Sequence, residues 1–225
     1  GFNSASPAGS EAYGQERSWN YEAGVKTSWL AERVSVNAAV FSIDWRDLQV
    51  NVPNPAVPAQ FYIASVGGAR SKGVELELNA RALPGLDLFG SVGYTDAEFR
   101  SGARSGGVNV GGNKLSGAPD YTASLGMQAS RAIRGAASLY GRAELALTGA
   151  FQYNDANTVG QSAYSLVNLR AGVRGPHTFA EGWIRNAFDT RYVPVAFAYG
   201  GLAPSGFLGE SGAPRTFGVR LGLTF

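Results

Sequence analysis

Cysteine is absent from the 225 residues. That removes disulfides, thiolate metal sites and a cysteine nucleophile, and leaves the redox compartment open. Histidine occurs once, as His177 beside Pro176. One imidazole in an expected turn supplies neither a clustered metal site nor the oriented partner that a Ser–His–Asp triad needs. Charge is scarce too: Asp, Glu, Lys and Arg make up 16% of the chain, against about 25% in an average soluble domain. The 19 basic and 17 acidic residues are interspersed and leave a net charge of +2, so no basic run points to nucleic acid. No apolar run approaches the ~18 residues of a membrane-spanning helix. The opening GFNSASPAGSEAYGQE has neither the basic start nor the apolar core of a signal peptide.

Glycine is abundant instead, with 31 residues, about twice the usual ~7% share. No three-residue period supports a collagen helix, and 12% aromatics argue against Gly-rich disorder. In strands, glycine marks bulges, bends and close approaches. The apolar residues follow a period of two. TFGVRLGLTF sets Phe217, Val219, Leu221, Leu223 and Phe225 on one face, with Arg220 on the other. KGVELELNAR sets Val74, Leu76, Leu78 and Ala80 against Glu75, Glu77, Asn79 and Arg81. YTASLGMQAS alternates in the same way, and AASLYGRAELALTGAFQY sets Leu139, Leu145, Leu147, Phe151 and Tyr153 against Arg142 and Glu144. These runs outlast the ~5–6 residues of a soluble strand and match the ~9–11 or more of a tilted transmembrane strand.

Two stretches read less cleanly. Val34, Val36, Ala38 and Val40 share one parity, while Phe41, Ile43 and Trp45 take the other, so a bulge is expected near Ala39. HTFAEGWIRNAFDTRY mixes both parities and leaves its faces unassigned. About nine strands are expected, at 17–30, 33–51, 61–82, 86–100, 119–132, 136–153, 162–174, 178–192 and 214–225. Short turns alternate with long Gly-, Ser-, Asn- and Pro-rich connections at 52–60, 101–118, 154–161 and 193–213. An antiparallel meander then collects all long loops at one end, as outer-membrane barrels do. Trp19, Tyr21, Trp29, Trp45, Tyr121 and Tyr192 near strand ends fit interfacial belts. The expected fold is all-β, a transmembrane antiparallel barrel meander. Its apolar side meets lipid, and Glu75, Glu77, Asn79, Arg142, Glu144 and Arg220 face a polar lumen.

Catalytic readings fare poorly. Glu75 and Glu77 lie two apart on one strand face, a spacing that suits acid–base work but equally lines a lumen. GGVNVGGN is followed by neither a helix start nor GK[ST], as a phosphate loop requires, and is expected to be a flexible external loop. No enzyme activity, metal or cofactor is expected.

The ordered series NYEAGVKTSWL, NAAVFSIDWRDLQV, ARSKGVELELNARALPGLDLFGSVGYTDAEF, GAPDYTASLG, AYSLVNLRAGVR, RNAFDTRY and GAPRTFGVRLGLTF resembles the C-terminal part of a TonB-dependent receptor. The resemblance runs in order over nearly the whole chain. It implies residues 1–225 as the last strands of a barrel of about 22 strands, with the plug domain and earlier strands absent. It implies active uptake of an iron–siderophore or similar scarce nutrient across a Gram-negative outer membrane, energised by TonB through the plug. Membrane lipid and the barrel assembly machinery are the other implied partners. The assembly signal would be the aromatic-terminated strand with Phe217, Val219, Leu221, Leu223 and Phe225. Phe197, Tyr199 and Phe207 in the last long loop, with Arg100 and Arg104 flanking another, are the expected ligand contacts. One alternative is a plug-free pore or a surface-protein translocation barrel. Another is a soluble β-sandwich, whose core Glu75, Glu77, Arg142 and Glu144 would make costly.

Overall fold

Alternation of polar and apolar residues over long stretches produces long strands. The computed structural model describes residues 1–4, 6–54, 56–57, 60–199 and 203–223, and among them there is no helix. The strands are, in chain order, β1 (Arg17–Trp29), β2 (Val34–Arg46), β3 (Gln49–Pro53), β4 (Phe61–Ser65), β5 (Ala69–Leu83) and β6 (Leu86–Phe99). They continue as β7 (Arg104–Ser105), β8 (Val108–Asn109), β9 (Tyr121–Ala132), β10 (Ser138–Thr148), β11 (Phe151–Gln152) and β12 (Gly160–Gln161). The last are β13 (Tyr164–Arg174), β14 (Thr178–Arg185), β15 (Val195–Ala198), β16 (Phe207–Glu210) and β17 (Thr216–Leu223).

Nine of these form one sheet in the order β1-β2-β5-β6-β9-β10-β13-β14-β17. Every neighbour is antiparallel. The other eight pair as four two-stranded hairpins, and each hairpin lies inside one of the four long connections. All long connections therefore leave one end of the sheet, and the tight turns close the other. At the turn end Gly85 takes a φ of 79°, a conformation that glycine adopts without strain.

Directly opposed residues on antiparallel strands share a face, so the register assigns both sides, with one shift between Arg81 and Leu83 at the turn end of β5. One row runs Val25, Ala38, Leu76, Val92 and Ala123. Another runs Leu125, Leu145 and Val167, and a third joins Leu169, Ile184 and Phe217. This apolar side is broadly exposed: Leu76 is 45% accessible and Leu221 75%, which no soluble core explains. Trp19, Tyr21, Tyr94 and Tyr121 lie on it toward the loop end and Trp29 toward the turn end, so aromatics border the apolar band on both sides.

Several sequence-based expectations need correction. No bulge occurs near Ala39, because β2 pairs in continuous register with both β1 and β5. Phe41, Ile43 and Trp45 instead face the polar side, and Trp45 packs against a small core beneath the loops. Trp45 is therefore not a belt residue, and Tyr192 stacks within the loops on Tyr164. The strand expected at 33–51 stops at Arg46, because Asp47 has a φ of 55°. That expected at 61–82 is split by Gly67 at φ 105°, and that at 178–192 stops at Arg185, before Asn186 with φ 47°. The strand expected at 136–153 ends at Thr148, so Phe151 and Tyr153 leave the outward face. Phe151 is buried, and Tyr153 hydrogen-bonds within the loops.

The buried apolar core of the described residues sits at the loop end. Val52, Val66, Ala69, Phe99, Ala103 and Val110 form it, with Trp45, Leu48 and Leu115 packed around them. Val110 belongs to GGVNVGGN, so this segment is an anchored hairpin, not a loose loop. Gly106 and Gly107, with φ of 56° and 82°, make its turn.

Candidate ligand vestibule and lumen wall

The polar side of the sheet is a continuous wall. Glu75 and Glu77 lie on β5 opposite Ala39 and Asn37 of β2. Asn37 Nδ2 and Asn79 Nδ2 each donate to a different oxygen of Glu77, both at 3.1 Å. Arg142 Nη2 pairs with Glu144 Oε1 at 2.6 Å, and its guanidinium lies 4.1 Å from the centroid of the Phe89 ring. Arg220 stands opposite Glu181, which accepts a 2.8 Å hydrogen bond from the Tyr140 hydroxyl. The six expected lumen residues thus share one side of the sheet.

Glycine supplies the relief of this wall. Phe41, Phe89, Tyr140, Phe179 and Trp183 stand directly opposite Gly73, Gly126, Gly172, Gly222 and Gly218. A Cβ added to Gly126 or Gly222 would come within 2.2 or 2.0 Å of the facing ring, well inside contact distance. The ring takes the volume that a side chain would fill, which accounts for these five of the 31 glycines.

At the loop end the connections are stitched together. Asp155 accepts from Ser105 Oγ (2.7 Å) and Ser116 Oγ (2.8 Å), while its carbonyl accepts from Asn113 Nδ2 (2.8 Å). Lys114 N donates to Asn157 Oδ1 at 2.7 Å, and Asn157 Nδ2 returns a 2.9 Å bond to the Lys114 carbonyl. Lys114 Nζ bridges Asp96 (2.9 Å) and Asp120 (3.3 Å). The bond to Asp96 raises the Lys114 pKa, burial opposes the rise, and the bond to Asp120 adds to it.

Tyr164, at the loop end of β13, stacks on Tyr192 with centroids 4.5 Å apart. The Tyr153 hydroxyl donates to the Val193 carbonyl at 2.6 Å. Burial pushes the Tyr153 pKa up and Tyr164 adds to the effect, so the hydroxyl keeps its proton. The sequence pattern put Tyr153 on the apolar face and Tyr192 in a belt, and it gave no sign of Tyr164 or Asp155. Their partners lie 28 to 50 positions away (Tyr164 to Tyr192, Ser105 to Asp155), and periodicity carries no trace of such contacts.

The expected ligand contacts divide. Phe197 and Tyr199 meet edge to face at 6.4 Å, and Phe197 is 44% exposed. Phe207 pairs with Ala198 and so lies on the other face of the β15–β16 hairpin. Arg100 pairs with Asp44, and Arg104 donates to the Gly107 carbonyl across the β7–β8 turn. Phe217, Val219, Leu221 and Leu223 lie together on the apolar side of β17, while Phe225 lies outside the described residues.

A family model described as TonB dependent receptor-like, beta-barrel, matches residues 1–187. The ferric-pyoverdine 358 receptor of Pseudomonas putida is 31% identical over 220 residues, covering 92% of this chain and 24% of that receptor. The chain therefore spans about a quarter of that receptor's length. The fold is similar to the ferric yersiniabactin uptake receptor FyuA of Yersinia pestis, with a TM-score of 0.78 at 23% identity over 93% of this chain and 30% of that one. It is also similar to the ferric-catecholate import receptor Fiu of E. coli K12, with a TM-score of 0.71 at 20% identity over 100% of this chain and 30% of that one.

Proposed function

The chain belongs to the TonB-dependent receptor-like β-barrel family, and from that premise we propose that it forms wall and outer vestibule of an active transporter for a metal chelate. The outer membrane of a Gram-negative bacterium is its location. In this reading residues 1–225 are the C-terminal part of the barrel, and a plug domain elsewhere in the receptor closes the lumen and couples to TonB. The observation that carries it is the two-faced nine-stranded sheet, with a lipid-compatible side, a polar side, and every long loop at one end. The similarity to a ferric-pyoverdine receptor and to ferric-chelate uptake receptors supports an iron–siderophore as the substrate.

The vestibule is built from the interlocked loops. Phe197, exposed and backed by the half-buried Tyr199, offers an aromatic edge for an apolar or aromatic chelator, Phe207 lies on the reverse of the same hairpin, and Arg100 and Arg104 place cations near the mouth. This segment binds and guides its ligand and performs no catalysis. The aromatic-edged strand β17 serves as the signal for barrel assembly. The test is deletion of the intact receptor, followed by radiolabelled iron uptake from single chelators with and without a membrane-energy uncoupler. The proposal requires one chelate whose uptake is lost on deletion and abolished by the uncoupler. Uptake that persists in uncoupled wild-type cells would favour a passive pore.

A further inference from the structure

Above the apolar band, the outward side of β1, β2, β5 and β6 turns polar in three rows toward the loops. The row of Tyr21 runs through Ser42 and Lys72 to Asp96. The next, about 7 Å further along the strands, runs from Trp19 through Asp44 and Arg70 to Glu98. The last sets Arg17 directly opposite Arg46. The loop ends of β10 and β13 carry Leu147 and Ser165 outward instead, so the charged rim belongs to one half of the sheet.

Most of these charges neutralise one another. Asp96 lies 3.2 Å from Lys72 and 2.9 Å from Lys114. Asp44 pairs with Arg100 and lies 4.0 Å from Arg70. Arg17 and Arg46 are different. Among the described residues, neither forms an ion pair within 4.0 Å, and Arg17 meets the neutral side chain of Gln15. Two guanidiniums that face one another across a strand pair repel unless an anion joins them. Arg46 also lines a hollow of about 700 Å³ together with Trp19, Tyr21, Asp44, Asp47 and Arg100. Trp19 and Tyr21 are 62% and 63% exposed.

The vertical order is apolar band, aromatic rings, then unpaired guanidiniums, with roughly 13 Å from Tyr21 to Arg17. A lipid has the same order from its chains to its phosphate. Aromatic rings settle at headgroup level, clustered cations there attract anionic headgroups, and the guanidinium fork matches a phosphate.

We propose that this hollow seats the headgroup of a phosphorylated glycolipid of the outer leaflet. Its phosphate lies between Arg17 and Arg46, which donate to its oxygens and lose their mutual repulsion. A sugar ring covers the exposed face of Trp19, and Asp47 accepts from its hydroxyls. Asp44 is no obstacle, because Arg100 and Arg70 neutralise it. The acyl chains follow the band past Ala23, Val40 and Val74, which form one row. The inference rests on the outer-membrane location and the two-sided sheet and is independent of what the receptor transports.

The test uses the intact receptor, purified in detergent and stripped of lipid. It is titrated with lipid A, a bis-phosphorylated acylated disaccharide, and native mass spectrometry counts the bound lipid. Wild type should hold one lipid A more tightly than its dephosphorylated form. R17Q/R46Q should weaken that binding roughly tenfold or more, the effect of losing charge-assisted hydrogen bonds. Arg215→Gln, beside β17 on the other half of the sheet, should bind as wild type does. If the double variant does not fold, Arg46→Gln alone decides by the same comparison. Equal affinity in wild type and the arginine variants overturns the proposal, as does equal affinity for the dephosphorylated lipid. Full displacement of lipid A by millimolar inorganic phosphate would make this a free-anion site and also overturns it. A wild-type receptor that binds the lipid but imports no chelate counts against the transport reading alone.

Discussion

Arginine at position 76 separates lipid-facing from lumen-facing positions more sharply than any other single substitution. Leu76 lies midway along β5, in a row with Ala38 and Val92, and is flanked on its own strand by Val74 and Leu78. If that side meets hydrocarbon, Leu76→Arg places a guanidinium near the bilayer midplane, at a cost of about 2–4 kcal/mol. At 1.4 kcal/mol per factor of ten, the folded-to-unfolded ratio falls roughly 30- to 700-fold. Asn79→Arg is the matched control three residues away. Asn79 faces the wall side, where its amide bonds Glu77, so the new cation meets water and a carboxylate. The assay is the folded fraction of intact receptor in outer membranes, read as the mobility difference between heated and unheated samples in detergent gels. Leu76→Arg should deplete the folded band and Asn79→Arg should leave it near wild type. Equal loss in both variants, or loss only in Asn79→Arg, would refute the face assignment.

Three further outcomes follow from particular contacts. Gly126→Ala should lower stability by about 1–3 kcal/mol through overpacking against Phe89, whereas Gly141→Ala, whose nearest facing atom is 3.9 Å away, should cost little; denaturant titration of the refolded barrel measures both. Asp155→Ala leaves Ser105 and Ser116 without their acceptor and should speed hydrogen exchange across 101–118 and 154–161, with local stability reduced by about 1–3 kcal/mol. Phe197→Ala should weaken chelate binding about tenfold if the exposed ring is a contact, and binding by the intact receptor to wild-type strength would remove Phe197 from the proposed site.

The sequence made the sheet legible where small or branched apolar residues alternate with charged ones, as in β5, β10 and β17. It was opaque where the wall itself carries rings. In β14, Phe179 and Trp183 point inward over glycines while Ala180 and Ile184 point outward, so both parities look apolar. In β2, Phe41, Ile43 and Trp45 mimic a phase change because they serve the lumen wall and the core beneath the loops. The vestibule was the least legible part. Its order comes from contacts such as Asp155 with Ser105 and Tyr153 with Val193, which join different loops and leave no local pattern. Polar, Gly-rich composition suggested flexibility, but hydrogen bonds between loops and a buried Val110 hold these segments.

A nitroxide scan of positions 73–81 in the membrane-embedded receptor tests the two-sided sheet most directly. Collisions with oxygen, which concentrates in hydrocarbon, should peak at 74, 76, 78 and 80. Collisions with a polar nickel chelate should peak at 75, 77, 79 and 81. A profile without a two-residue period, or one in which positions 75 and 77 meet the oxygen, would contradict the account.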